Sequence, residues 1–170
     1  MMPWRVVLIV VAVAAVWVSF EWLFPDDEAR IRAVLERIAD AVGGGAEQES
    51  EVARLARAAS VRNQLDPQIA VDAGPPFSRI SGRDAIIGTI ARLDGTVDDL
   101  EVHFDDVAIT VDPGGDSAKV HLTAEARYRD SAGARGFEAR ELDLTFRRLD
   151  GDWVLSDVAQ VRTLEPITPR

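Results

Sequence analysis

From Val6 to Phe20 the chain is apolar except for Ser19, and Trp22, Leu23 and Phe24 extend the run with only Glu21 interrupting it. At about 1.5 Å per helical residue, the distance from Trp4 to Trp22 is roughly 27 Å, close to the hydrocarbon thickness between two aromatic belts. The pattern predicts a single membrane-spanning helix over residues 4–24. Arg5 precedes it and Asp26, Asp27 and Glu28 follow it, so the positive-inside rule places the amino terminus in the cytoplasm and the rest of the chain outside, periplasmic or extracellular. Two other readings compete. Ala12-Val13-Ala14 has the small-x-small form of a cleaved secretory signal, although a cut there leaves Val16 to Phe24 as an exposed apolar tail. A buried core helix fits less well, because a segment apolar all round suits lipid better than a one-sided core.

Beyond this run the apolar residues recur first at helical spacing. Pro25 and Asp26 open a helix in which Ile31, Val34, Leu35, Ile38, Ala41 and Val42 form one face, and Gly43-Gly44-Gly45 ends it. A second helix is predicted over Gln48–Leu65, with Val52, Leu55, Ala56 and Ala59 on its buried side and Asp66-Pro67 forcing a turn. A short strand, Gln68–Asp72, follows. Ser81 is placed to cap a third helix, Gly82–Leu93, whose buried stripe is Ile86, Ile87, Ile90 and Leu93.

After Asp98 the period becomes two. Four strands are predicted, Leu100–Val111, Ala118–Arg129, Gly136–Arg148 and Trp153–Thr163, joined by connections short enough for hairpins. The alternation slips twice: Leu100, Val102 and Phe104 are even-numbered but Val107, Ile109 and Val111 are odd, and Trp153 and Leu155 give way to Val158. A bulge at Asp105-Asp106 and another at Ser156-Asp157 restore a common face and bend the sheet. The fold class that follows is α+β: three helices packed on a strongly curved antiparallel sheet, behind one transmembrane helix. Residues 1–24 form the anchor and residues 25–170 one domain.

Charge narrows the partners. The chain carries a formal charge of −10, and 18 of its 19 basic residues are arginines scattered among acids, so nucleic acid is excluded as a partner. Without cysteine there is no disulfide framework, thiolate nucleophile or thiolate zinc site.

The order of helix, helix, short strand and an Ile80-Ser81-Gly82-Arg83 lead into a third helix precedes four long strands. With the closing run Leu149-Asp150-Gly151-Asp152-Trp153-Val154-Leu155-Ser156-Asp157, it resembles the nuclear transport factor 2-like superfamily, in its SnoaL-like branch, over nearly all of residues 26–163. The resemblance implies a cystatin-like cone with an internal cavity. These motifs are architectural, and enzymes and non-enzymes share them. A membrane helix is not part of that common pattern, but tethered cones of this kind resemble envelope assembly factors of type IV secretion channels and lipid-transfer systems.

Enzymes of that superfamily set an acid or histidine base and a Tyr or Asp donor inside the cone. Here the core face of the second long strand reads Val120, Leu122, Ala124, Ala126 and Tyr128, with His121, Thr123, Glu125, Arg127 and Arg129 opposite. On the third, Leu142, Leu144 and Phe146 point inward and the acids are expected outside. Three polar groups remain as candidate cavity contacts: Tyr128, which can equally sit wet at the mouth, Asp72, which can cap a turn, and Asp157, which can be an exposed bulge residue. Phe77, Phe104, Tyr128 and Trp153 are placed to surround a cavity, and Ala124 and Ala126 leave room there for an apolar ligand or admit a helix closely. His103, His121 and Glu125 share a flat polar face that lacks the enclosure a metal needs, so neither metal nor cofactor is expected.

The expectation is a membrane-anchored, non-catalytic cell-envelope protein whose exported cone serves docking or assembly. The alternatives are a binder of a small apolar ligand in the cone, and a SnoaL-like isomerase or hydrolase with Asp72 or Asp157 as base and Tyr128 as donor. The expected partners are the membrane through residues 4–24, an envelope protein, and a second copy meeting the polar sheet face that carries Glu125, Arg127, Arg129, Glu141 and Asp143.

Overall fold

The computed structural model describes residues 27–43, 50–75, 79–93, 97–130 and 132–161. Helix α1 (Asp27–Gly43) buries Ile31, Val34, Leu35 and Ala41 and half-buries Ile38 and Val42, the face its periodicity predicts. It ends where its backbone meets the sheet: a Cβ on Gly43 would lie 2.7 Å from the backbone nitrogen of Val102, so only glycine allows this approach.

Helix α2 (Glu51–Ser60) starts from Ser50, whose Oγ accepts a hydrogen bond from the Ala53 amide at 3.2 Å. It stops at Ser60, a 3₁₀ turn covers Val61–Gln64, and Leu65 is already extended, so the helix predicted to reach Leu65 is shorter. The face expected to be buried is also the wrong one. Val52 is 77% and Leu55 54% exposed, and Ala56 and Ala59 are exposed with them. The contact runs through Ala58 and Val61, each 1% exposed, while Arg57 donates to the Ala41 carbonyl of α1 at 2.5 Å. An apolar stripe raises the burial free energy of one face, but here a small alanine and a cation on the orphan carbonyls at the end of α1 decide the docking.

Strand β1 (Leu65–Asp72) pairs antiparallel with β2 (Ile80–Ser81). Helix α3 (Arg83–Leu93) buries Ile86 and Ile90 and half-buries Ile87. The predicted cap at Ser81 is displaced by one residue: Ser81 is registered in β2 opposite Ala70, and Gly82, at φ +92°, supplies the carbonyl that accepts from Ile86 N at 3.1 Å.

The four long strands are β3 (Val97–Val111), β4 (Ser117–Asp130), β5 (Arg135–Leu149) and β6 (Asp152–Gln160). They form the predicted antiparallel meander, and β1 joins β6 in parallel, giving the order β2-β1-β6-β5-β4-β3. Both expected bulges are present. The β3/β4 register slips by one residue between Asp105 and Ala108, with Asp106 at φ +53°, and β6 carries an extra residue at Ser156, whose Oγ donates to the Thr145 carbonyl. A third lies between Asp98 and Glu101, with Asp99 at φ +51°. Aspartate takes the left-handed conformation at lower cost than most side chains, which suits it to both β3 bulges. Asp150 and Gly151, at φ +53° and +92°, form the tight turn expected of an Asp-Gly pair.

One face of the curved sheet carries Ala118, Val120, Leu122, Leu144, Phe146, Leu155 and Val158 against the helices, and this is the core. At its edge β1 departs from regular pairing between Leu65 and Ala70. There Asp66, 2% exposed, accepts hydrogen bonds from the Gln68 amide at 2.7 Å and from Arg147 Nε. Burial pushes its pKa up, but the Arg147 and Gln68 hydrogen bonds and the charges of Arg147 and Arg83 outweigh burial and hold the carboxyl below the usual aspartate value. Among the described residues no helix is long and apolar enough to cross a membrane; the anchor expected over residues 4–24 lies outside them.

Candidate functional site

Strand register decides which candidate side chains can meet. On the concave face of β4 and β5, Leu122 is opposite Leu142, Ala124 opposite Arg140, Ala126 opposite Glu138 and Tyr128 opposite Gly136. Strand alternation puts Glu138 and Arg140 on the same side as Leu142 and Leu144. The expectation that the acids of this strand all lie outside is therefore wrong for Glu138. Arg140 is a further residue that sequence reasoning misses. Counting back in twos from Leu142 is the signal available, and it is obscured because the apolar stripe stops there. Arg140 donates to the carbonyls of Ala73 at 2.6 Å and Pro75 at 3.0 Å and pairs with Glu138 at 3.1 Å. Its contacts tie β5 to the segment after β1.

Tyr128 lies half-buried with its ring over Gly136, in the space a Cβ there would need. An aromatic ring covering a cross-strand glycine shields exposed backbone, which is a structural use of the side chain. Ala124 packs against the core, and Ala126 is half-buried and registered opposite Val102, the residue that Gly43 of α1 approaches.

Asp72 and Asp157 occupy the other face. Val71 is registered opposite Val158 in the core, so the adjoining Asp72 points away from it, and its Oδ1 accepts from the Gly74 amide at 3.2 Å. Asp157, opposite Thr145 beside the Ser156 bulge, is half-exposed and lies 3.9 Å from Arg79. The candidate bases and the candidate donor are thus on opposite sides of one sheet. Phe77 lies outside the described residues.

Among the described residues, the remaining aromatics line three separate clefts. Phe104 lines a cleft of about 320 Å³ between α1 and β3 with Arg32, Glu36 and Val107, and Tyr128 one of about 440 Å³ with Asp99, Arg129 and Phe137. Trp153 lines a third, of about 590 Å³, with Arg30, Arg37 and Gln64. The indole of Trp153, 4% exposed, donates to Asp27 Oδ1 at 3.0 Å, and Arg148 stacks on its ring at 4.8 Å while reaching the same carboxylate oxygen at 2.5 Å. The first residue of α1 is thereby fastened to the closing hairpin.

On the convex face His103 is registered opposite Glu125 and His121 opposite Asp143. His121 Nδ1 lies 2.9 Å from Asp143 Oδ1. That hydrogen bond raises the imidazole pKa, and partial burial opposes it less strongly; the charges of Asp143 and Glu141 add to the rise. Among the described residues no three His, Asp or Glu side chains converge into a group that could hold a metal ion. The rest of the face is a ladder of charges: Arg127 pairs with Glu125 at 3.3 Å and lies over the 57% exposed Phe137, and Arg129 pairs with Asp99 at 3.0 Å.

No protein-family model matches the chain, and no curated protein does. Solved structures do. A protein from Novosphingobium aromaticivorans provisionally called an aromatic ring hydroxylase is similar at a TM-score of 0.65 and 14% identity, over 82% of this chain and 90% of that one. Another from the same organism, provisionally called a scytalone dehydratase, gives 0.64 and 16% over 85% and 95%. A third, described as a nuclear transport factor 2-like protein with a cystatin-like fold, gives 0.60 and 20% over 87% and 86%. At these identities the likeness concerns the fold: the described domain has the cystatin-like architecture of nuclear transport factor 2-like proteins.

Proposed function

We propose that the chain is a membrane-anchored, non-catalytic protein whose domain faces outward and docks a protein partner through helix α2. The observation that carries this reading is the exposure of Val52 and Leu55, with Ala56 and Ala59 beside them on the same helix face. An apolar stripe on a ten-residue helix that stays in water costs solvation free energy unless a partner covers it. The separation of Tyr128 from Asp72 and Asp157 argues in the same direction. General acid–base chemistry needs both groups within hydrogen-bond reach of one substrate, and those groups lie on opposite sides of the sheet. The names of the two provisionally assigned enzymes therefore do not transfer to this chain on these residues. The outward orientation is supported by Arg5 before the apolar run and three acids after it.

A photo-crosslinking residue at Leu55, in intact cells, tests the docking surface. A discrete protein adduct at Leu55, absent when the probe replaces the exposed Thr110 on the far side of the sheet, supports it; equal yields at both positions would count against it. Orientation has its own readout. The chain has no cysteine, so Asp150→Cys creates a single thiol that a membrane-impermeant maleimide labels in intact cells only if the domain is outside.

A further inference from the structure

The cleft beside Trp153 carries a charge pattern that the docking reading does not use. It lies between the first turns of α1, the 3₁₀ turn and the β5–β6 turn, and its walls include Arg30, Arg37, Asn63, Gln64 and Asp152 around a floor of Ala33 and Val34. In a chain of net charge −10, two cations face one anion here. Among the described residues neither arginine has a carboxylate partner. Arg37 is held by neutral acceptors: its Nε donates to the Ala33 carbonyl at 2.9 Å and, with the Gln64 amide turned to donate to Ser60 and Val61, its Nη1 donates to Gln64 Oε1 at 3.1 Å. Its charge is positioned without being neutralised. Arg30 is seven residues earlier, about 10 Å away along the axis on the same side of the helix, and the residue between them at the cleft floor is the small Ala33. Two guanidiniums can converge there on one tetrahedral oxyanion, the ligand their planar donors match best.

We propose that this cleft binds a phosphate-bearing amine of the phosphoethanolamine type, with Arg30 and Arg37 on the phosphate and Asp152 on the ammonium group. The single carboxylate at the rim, which would repel a simple dianion, becomes a second recognition point for a zwitterion. Such a group reaches the cleft either as a membrane-lipid headgroup or as a free phosphodiester. The lipid source rests on the anchor reading: with a span ending near Phe24, the cleft residues of α1 lie within roughly 25 Å of the bilayer.

The test is calorimetric titration of the full chain in phosphate-free detergent micelles with inorganic phosphate, glycerophosphoethanolamine and dihexanoyl phosphatidylethanolamine. Saturable binding of glycerophosphoethanolamine identifies a free ligand; binding of only the diacyl probe identifies a lipid. In either case Arg30→Gln and Arg37→Gln weaken binding by about tenfold or more, roughly the loss of one charge-assisted hydrogen bond. Asp152→Asn weakens the amine-bearing probes and leaves inorganic phosphate unaffected or tighter. Circular dichroism confirms that these exposed-site variants remain folded. The proposal is overturned if neither phosphoethanolamine probe saturates, if the arginine variants bind as the parent does, or if inorganic phosphate binds more tightly than both. None of these results bears on crosslinking at Leu55, so the two readings fail separately.

Discussion

Asp66 is the buried charge on which the edge of the sheet depends, and replacing it with asparagine isolates the charge from the shape. Its side chain is 3% exposed and bonded to the Gln68 amide and to Arg147, which is 46% exposed. An asparagine there would keep an acceptor for the Gln68 amide but present an NH₂ group to a guanidinium that also only donates. A hydrogen bond to a charged group contributes about 1.5–3 kcal/mol, and because Arg147 can recover water the lower half applies, so Asp66→Asn costs about 2 kcal/mol near neutral pH. Asp66→Ala also leaves the Gln68 amide unpaired and costs about 3–4 kcal/mol. The sign of the pH dependence follows from the depressed pKa. Stability contributed by the carboxylate is full above the ordinary aspartate range, near pH 4, and is lost as pH falls through the lower folded value. Urea unfolding of the parent and Asp66→Asn chains, followed by circular dichroism from neutral to strongly acidic pH, should show a gap that closes on acidification. A gap under about 0.5 kcal/mol at neutral pH, within the range of an ordinary surface substitution, or one that widens in acid, would refute the reasoning.

Other expectations follow from close contacts and from one imidazole. Gly43→Ala places a Cβ 2.7 Å from Val102 N, so a change that stabilises most helices here destabilises by about 1–3 kcal/mol in chemical unfolding. Asp27→Ala and Arg148→Ala should be non-additive by about 1 kcal/mol in a double-mutant cycle, because both side chains are about one-third exposed and share one carboxylate oxygen with Trp153. In an NMR titration His121 should ionise above the ordinary histidine value. Its small contribution to stability is present below the ordinary value and lost as pH rises through the folded one, and Asp143→Asn should return the imidazole toward normal.

Much of the fold is legible in the order of residues because period and phase are local properties. The face of α1 follows from apolar residues at helical spacing, the four strands from strict alternation, and the bulges at Asp105-Asp106 and Ser156-Asp157 from where that alternation changes parity. The face of α2 does not follow. Periodicity shows that Val52 and Leu55 lie together, but only tertiary contacts show that Ala58 and Arg57 make the docking. The candidate site is less legible still. Alternation places Tyr128 on the concave side, yet its role over Gly136 depends on the hairpin register, and Glu138 and Arg140 are hidden by an apolar stripe that ends before they begin. Asp72 and Asp157 separate from Tyr128 only once β1 is paired with β6.

The docking role of α2 is tested most directly by the mass of the native assembly extracted from cells in mild detergent. The parent chain should run as a complex larger than the detergent-bound monomer, and the paired substitution Val52→Asp with Leu55→Asp, on side chains already in water, should release the monomer without altering the circular dichroism. A parent that is monomeric, or a doubly substituted chain that keeps the full assembly mass, would contradict the account.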